Sequence, residues 1–150
     1  MTSNIDDRFR FVRRRIAADA HTASRTRVEF RRWLDRHFTL GAERFSDLLL
    51  AVSEALSNAA EFAYVGAPQR GTMDVSANYD VDSDTLAVTV SDHGRWRQIV
   101  PAQGPAACDY QVRGRGIPLM RALADEATID PTPHGTNVRL TWNHLTKPSV

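Results

Sequence analysis

The chain has 150 residues, of which 42% are hydrophobic and 25% charged, with a formal net charge of +1. These values indicate one soluble globular domain over residues 1–150, and the near-neutral charge argues against direct binding of nucleic acid. The single cysteine, Cys108, excludes an internal disulfide and a cysteine-only metal cluster, and it fits a reducing, cytoplasmic setting. The polar first 15 residues do not resemble a secretory signal, and no apolar run is long enough to span a bilayer, so we expect no membrane partner.

Basic residues are concentrated near the start of the chain, in two clusters of five arginines: Arg8, Arg10, Arg13, Arg14 and Arg15, then Arg25, Arg27, Arg31, Arg32 and Arg36. Such clusters mark a nucleic-acid footprint, a contact with an acidic partner or merely a solvated face. Acidic residues elsewhere balance these charges, which favours a solvated face or a protein partner.

The first 40 residues predict a strand followed by a helix. Residues 8–16 partly alternate, with Phe9 and Phe11 directed inward, which is typical of a strand. Residues 19–21 form a break, after which Thr22 or Ser24 is expected to cap the helix. The helix itself is predicted by an apolar stripe: Val28, Phe30, Trp33, Leu34 and Phe38.

Gly41 separates this helix from a second one, which is predicted to run to about Val65 with Gly66 as its C-terminal stop. Its apolar face is expected to pack on the core: Phe45, Leu48, Leu49, Val52, Leu56, Ala59 and Ala63. A polar stripe lies opposite: Asp47, Glu54, Asn58 and Glu61. Glu54 and Asn58 are one turn apart and point the same way. Taken alone, such a stripe is more often a solvated surface than a ligand site.

The second half of the chain predicts a hairpin, a loop, a short helix and two more strands. Residues 72–81 and 85–91 alternate around the turn Asp82-Ser83-Asp84, and the hairpin ends at Asp92-His93-Gly94. Residues 95–113 have no periodicity, which is typical of a functional loop. A helix over 117–124, strands over 127–130 and 136–143, and a flexible tail over 144–150 follow.

This order of elements segregates strands from helices. It predicts an α+β fold, a two-layer α/β sandwich in which a mixed, mostly antiparallel sheet is covered on one face by helices.

Four short motifs carry groups suited to binding a nucleotide with magnesium. A carboxylate at a strand end, such as Asp92, can accept the exocyclic amine of adenine, and glycines at a helix start, as in Gly114-Arg115-Gly116, leave backbone N–H groups free for phosphate. An amide oxygen such as that of Asn58 suits Mg²⁺, and a carboxylate such as Glu54 can take a proton from an attacking hydroxyl. Gly135-Thr136 opens the last strand, and each motif is weak when taken singly.

Together and in this order, the motifs resemble those of the anti-sigma-factor serine kinases, a bacterial branch of the Bergerat-fold (GHKL) ATPases. Residues 51–59, Ala-Val-Ser-Glu-Ala-Leu-Ser-Asn-Ala, resemble the N-box of that family. Residues 90–94, Val-Ser-Asp-His-Gly, resemble its G1 box, and residues 114–120, Gly-Arg-Gly-Ile-Pro-Leu-Met, its G2 box. Gly135-Thr136 resembles the closing threonine motif, so the resemblance covers most of the chain.

The resemblance implies roles for individual residues. Glu54 would be the general base and Asn58 the Mg²⁺ ligand. The nucleotide, ATP or ADP, would be held by five residues: Asp92 and Gly94 at adenine, Gly114 and Gly116 at phosphate, and Thr136, which fixes adenine through Asp92.

The resemblance also implies partners. The expected activity is phosphorylation of a serine on a STAS-domain anti-anti-sigma factor, together with sequestration of a sigma factor by a homodimer that regulates transcription in a stress response. Arg25, near the start of the first helix, matches best the arginine that touches the sigma factor in relatives.

Two departures from the family pattern bear on activity. Trp96 stands where the G1 box usually has a second glycine, and Phe62 replaces a common histidine. The alternative is therefore a module that binds a sigma factor and uses nucleotide only as a regulatory ligand, or has lost it. An unrelated nucleic-acid binder that uses the early arginines is the weakest of the three hypotheses.

Overall fold

The computed structural model describes residues 9–62, 71–94 and 116–147. Its strands are β1 (Arg10–Ala17), β2 (Thr72–Asp80), β3 (Thr85–Asp92), β4 (Glu126–Thr132) and β5 (Gly135–Trp142), and its helices are α1 (Ala20–His37), α2 (Ala42–Phe62) and α3 (Gly116–Leu123). The strands form one sheet in the order β1-β2-β3-β5-β4. All four neighbouring pairs are antiparallel, so the described sheet contains no parallel pair.

The helices cover one face of this sheet, which confirms the predicted α+β sandwich. Along β2 and β3 every second side chain is buried, including Val75, Val88 and Val90. This period of two is expected of strands that have one covered face and one solvated face. Because α2 packs on the central strands β3 and β5, polar groups on its inner side are held against the sheet.

The long helix α2 supplies the middle of the core. Five residues of its predicted apolar face are buried: Leu48, Leu49, Val52, Leu56 and Ala59. Ala63 and the predicted helix end near Val65 lie outside the described residues. Helix α1 adds Phe30 and Trp33, which pack edgewise or tilted on Phe11 of β1 with ring centroids 5.5 and 5.8 Å apart.

The predicted cap of α1 is wrong. The helix begins after Asp19, whose side chain accepts the N–H of Thr22 at 2.7 Å. Thr22 is therefore inside the first turn and buried, and Ser24 lies farther along the helix. An aspartate at this position satisfies an N–H that has no partner within the helix.

The prediction of a flexible tail from residue 144 is also wrong for the part that the structure describes. Leu145 is 1% exposed, and its N–H donates to the carbonyl of Asp84 at 2.9 Å. Thr146 donates both its N–H and its hydroxyl to the carboxylate of Asp84. These bonds fix the segment that follows β5 against the β2–β3 turn.

Across the residues that the structure describes, no helix is long and apolar enough to cross a bilayer, and no group of three or more histidine, cysteine or acidic side chains is placed to hold a metal ion.

Candidate functional site

Asn58 is a buried polar residue on α2 with unused hydrogen-bonding capacity. Asn58 is only 5% exposed, and its Nδ2 has no hydrogen-bond partner among the described residues. Leaving a buried amide group unsatisfied costs roughly 1–3 kcal/mol. Native proteins keep such groups rarely, and a functional role or a bound ion or water is the usual explanation. The polar stripe of α2 is therefore not simply a solvated face.

Glu54 lies one helical turn before Asn58 and is half-buried. The two other members of the stripe differ in exposure, since Asp47 is half-buried and Glu61 is exposed. A half-turn of the Asn58 amide exchanges its oxygen and nitrogen, so the same position can present an oxygen to a cation. A buried amide next to a carboxylate is a donor set that suits Mg²⁺ together with phosphate oxygens.

Asp92 organises the ends of two strands. The residue is 4% exposed at the end of β3, and its Oδ1 accepts the N–H of Gly94 at 3.1 Å and the N–H of Thr136 at 3.2 Å. Thr136 is itself 2% exposed near the start of β5. The structure thus brings together three predicted site residues, Asp92, Gly94 and Thr136, although 44 residues separate Asp92 from Thr136.

Gly135 makes this arrangement possible. Its φ is +145°, and a Cβ at this position would lie 1.9 Å from the carbonyl oxygen of Asp92 and 2.8 Å from Cα of His93. No side chain fits there, because the obstacle is backbone rather than a movable side chain. The sequence places Gly135 in a motif with Thr136 but does not predict it as a site residue; its position directly before Thr136 is the signal that could identify it.

The β-bulge of β1 lies near the same end of the sheet. The pairing of β1 with β2 shifts by one residue between Arg13 and Ile16, and Arg15 has a φ of +54°. The backbone N–H of Arg15 donates to Oδ1 of Asp74 at 2.7 Å, while Oδ2 of Asp74 lies 3.5 Å from Nε2 of His93. Asp74 therefore links the bulge to the residue that follows Asp92.

Helix α3 begins at Gly116, which is the predicted phosphate-binding helix start. Met120 is fully buried, and the indole Nε1 of Trp142 donates to the carbonyl of Leu123 at 3.0 Å, so α3 is fixed to β5. Gly114, the predicted loop over 95–113 and Trp96 lie outside the described residues.

Arg25, the predicted partner-binding residue, is exposed on α1. A polar contact that the sequence did not predict lies close to it along the chain: Nε of Arg27 donates to Oγ of Ser53 at 2.8 Å, and this hydroxyl donates to the carbonyl of Leu49 at 2.7 Å. Because Ser53 precedes Glu54, the contact ties α1 to the segment of α2 that carries the predicted base.

Comparison with known proteins identifies the family. The model of the histidine kinase-like ATPase domain family matches residues 16–142. The serine-protein kinase RsbW of Bacillus licheniformis is 35% identical over 91 residues, which cover 55% of each protein, so the match spans only about half of that curated relative.

A solved structure shares the fold. The structure of the RsbU and RsbW domains of Rv1364c from Mycobacterium tuberculosis superposes with a TM-score of 0.69 at 23% identity, covering 93% of this chain and 33% of that one. The histidine kinase domain of a blue-light activated kinase from Erythrobacter litoralis matches 67% of this chain and 44% of its own at 26% identity, with a TM-score of 0.46. The ATPase family predicted from the motifs is confirmed: the chain belongs to the histidine kinase-like ATPase domain family, whose model spans most of its length.

Proposed function

We propose that this chain binds ATP with Mg²⁺ and transfers the terminal phosphoryl group to a serine of a STAS-domain anti-anti-sigma factor. The observation that carries the proposal is the buried amide of Asn58, one turn from Glu54, whose Nδ2 has no hydrogen-bond partner among the described residues. An amide in this state favours a polar ligand, and the neighbouring carboxylate can accept a proton. The similarity to the Bacillus licheniformis relative, a serine-protein kinase, supports the same reaction.

The nucleotide would be held by residues from three elements. Asp92, positioned by its hydrogen bonds to Gly94 and Thr136, would accept the exocyclic amine of adenine. The N-terminus of α3 at Gly116, with Gly114 before it, would donate backbone N–H groups to phosphate. Asn58 would contribute an oxygen to Mg²⁺, which when bound would neutralise phosphate charge.

Glu54 would act as the general base. Its half-buried carboxylate would accept the proton of the attacking serine hydroxyl, and Asn58 beside it would hold the phosphate end of the ligand in line. Since phosphoryl transfer depends mainly on positioning and charge neutralisation, the rigid α2 is a suitable scaffold for both residues.

The partners are proposed from the same family. The chain would sequester a sigma factor as a homodimer in the cytoplasm, with the exposed Arg25 among the contacts, and would thereby regulate transcription in a stress response.

Calorimetric titration tests the nucleotide site. ATP and ADP are titrated with and without Mg²⁺ into the wild type, Asn58→Ala and Ser57→Ala. Ser57 is the adjacent, half-buried residue of the same helix, and its variant is the matched control. We expect Mg²⁺-dependent binding that Asn58→Ala weakens strongly and Ser57→Ala preserves. Equal weakening in both variants would contradict the assignment of Asn58.

A second candidate function is a sigma-factor-binding module in which nucleotide is only a regulatory ligand. It is favoured by Trp96, which stands at the place of the usual second glycine of the G1 box. Incubation with ATP, Mg²⁺ and a STAS-domain protein, followed by mass spectrometry of that protein, separates the two functions. Phosphoserine on the STAS-domain protein supports the kinase; sigma-factor binding without any phosphoserine supports the module.

A further inference from the structure

A basic groove of about 680 Å³ lies between β1 and α1. It shares no lining residue with the site around Asn58 and Asp92. Five arginines line it: Arg10, Arg13 and Arg14 from β1, and Arg32 and Arg36 from α1. These five are half of the ten arginines in the two clusters found in the sequence.

The positive charge of the groove is mostly uncompensated. Glu29 is its one acidic lining residue, and its Oε1 accepts the Nε–H of Arg13 at 2.8 Å. The other four arginines are exposed, and within the described ranges none of them has an acidic side chain within 4.0 Å. Such a concentration of one charge in a concave surface attracts an anionic ligand even when the whole chain is nearly neutral.

One of these arginines is held in place. Besides its ion pair, Arg13 donates from its guanidinium to the carbonyl of Val12 at 2.8 Å, and its Cζ lies 4.4 Å from the ring centre of Phe11. Phe11 packs on Trp33, which also lines the groove. A fixed guanidinium over an aromatic base loses little entropy on binding and favours a ligand that carries apolar groups as well as charge.

The groove follows β1, the edge strand of the sheet that the described residues form. In the strand order β1 is the first strand and pairs only with β2, and five consecutive residues, 10–14, line the groove. The bulge after Arg13 interrupts the pairing with β2, which resumes at Ile16. Within the described residues no other strand pairs with residues 10–13, an edge of roughly 13 Å at about 3.3 Å per residue, although the Val12 carbonyl already accepts from the Arg13 guanidinium.

We propose that this groove is a docking site for an extended, acidic segment of a partner protein, which adds to β1 as a further strand. Backbone hydrogen bonds along an open edge give affinity, and alternating side chains give specificity. Charged residues on an edge strand commonly prevent unwanted pairing, and the arginines would repel a basic strand and would not attract a neutral one. An acidic strand, in contrast, would be attracted by them. An acidic segment is favoured over a second copy of this chain, because pairing two β1 edges would bring arginines against arginines.

The probe is a fluorescein-labelled heptapeptide in which glutamate and valine alternate, and fluorescence anisotropy measures its binding. Three comparison ligands are used: the same peptide with glutamine for glutamate, the same peptide with alternate backbone nitrogens methylated, and a single-stranded oligothymidine of similar charge. The test variant is the double substitution Arg32→Glu and Arg36→Glu. Its control is Arg31→Glu with Arg139→Glu, two exposed arginines that do not line the groove and give the same change in net charge.

We expect the acidic peptide to bind the wild type, and the groove variant to weaken binding about tenfold or more while the control changes it less than about threefold. The glutamine and N-methylated peptides should bind much more weakly. An equal loss of peptide affinity in both double variants would show that only the overall charge of the protein matters, and this would overturn the proposal. Binding of the N-methylated peptide with full affinity would exclude strand addition, and tighter binding of the oligothymidine would make the groove a nucleic-acid site instead. Circular dichroism of each variant excludes unfolding as the cause.

Discussion

Oδ1 of Asp92 accepts the backbone N–H of Thr136 at 3.2 Å, and the residue before Thr136, Gly135, lies directly against the Asp92 backbone. The buried carboxylate of Asp92, at the end of β3, is thus oriented by the neighbouring strand β5. The same oxygen accepts the N–H of Gly94, so two backbone donors fix one oxygen. An adenine-reading carboxylate needs such fixed geometry, since it must distinguish an exocyclic amine from other groups.

Replacing Gly135 by alanine should destabilise the protein and disturb the site together. A Cβ would lie 1.9 Å from the Asp92 carbonyl oxygen, and the φ of +145° is unfavourable for any L-residue with a side chain. We expect a loss of about 2 kcal/mol or more in the free energy of unfolding, measured by chemical denaturation, and weaker ATP binding.

Gly41→Ala is the matched control for this substitution. A Cβ at Gly41 meets no atom within 4 Å. Its unfolding free energy should therefore change by less than about 1 kcal/mol, which is the range of the backbone-entropy effect alone. A similar loss in both variants would mean that replacing any glycine lowers the free energy of unfolding, and that the contact of Gly135 with Asp92 is not the cause.

Asn58→Ala should separate stability from ligand binding. The substitution removes a buried amide whose Nδ2 has no described partner, so the unfolding free energy of the apo protein should stay level or rise by up to about 1 kcal/mol. The stabilisation that ATP with Mg²⁺ gives to the wild type should disappear. Thermal melts with and without ligand measure both effects. A variant that unfolds more easily but still gains stability from ligand would show that the amide is structural.

Glu54→Gln should remove phosphoryl transfer without removing binding. The amide keeps the shape of the carboxylate but cannot accept the proton, and loss of a general base typically costs about 10²–10⁴-fold in rate. Single-turnover transfer to a STAS-domain protein, beside calorimetry with ATP, separates the two effects. Asp47→Asn, two turns earlier and also half-buried, is the control and should keep the wild-type rate. An unchanged rate in Glu54→Gln would remove the residue from the base role.

Local sequence patterns predicted the parts of the fold that depend on local periodicity. The alternation in β2 and β3 and the apolar face of α2 were read correctly, because a buried face repeats every second residue in a strand and about every 3.6 residues in a helix. The cap of α1 was misassigned, since Asp19, Thr22 and Ser24 all have capping side chains and only the chain geometry selects Asp19.

Contacts between distant residues were beyond those patterns. The hydrogen bonds from Thr146 to Asp84 join residues that are 62 positions apart in the sequence. A short polar segment after a strand, taken by itself, predicts a frayed end instead. The pairing of Asp92 with Thr136 was expected only through the family resemblance. The burial of Asn58 was hidden because an asparagine in a polar stripe has the same pattern whether the stripe faces solvent or a site.

The contact between Asp84 and the C-terminal segment should make stability depend on acidity. Burial opposes ionisation of Asp84, but hydrogen bonds from Tyr79 and Thr146 outweigh it and lower the pKa of the carboxyl from its ordinary value of 3.8. A lowered pKa in the folded state means that the contribution of Asp84 to stability is present above pH 3.8 and is lost as the pH falls through the lower, folded-state value.

Asp84→Asn keeps a residue that tolerates the φ of +52° at this position, so it tests the charge rather than the backbone. Unfolding by urea should show the variant less stable than the wild type by about 1–3 kcal/mol at pH 7, with the difference shrinking near pH 3. Asp82→Asn, exposed in the same turn, should show neither effect. A difference between Asp84→Asn and the wild type that stays constant from pH 7 to pH 3 would mean that the carboxylate charge does not hold the C-terminal segment.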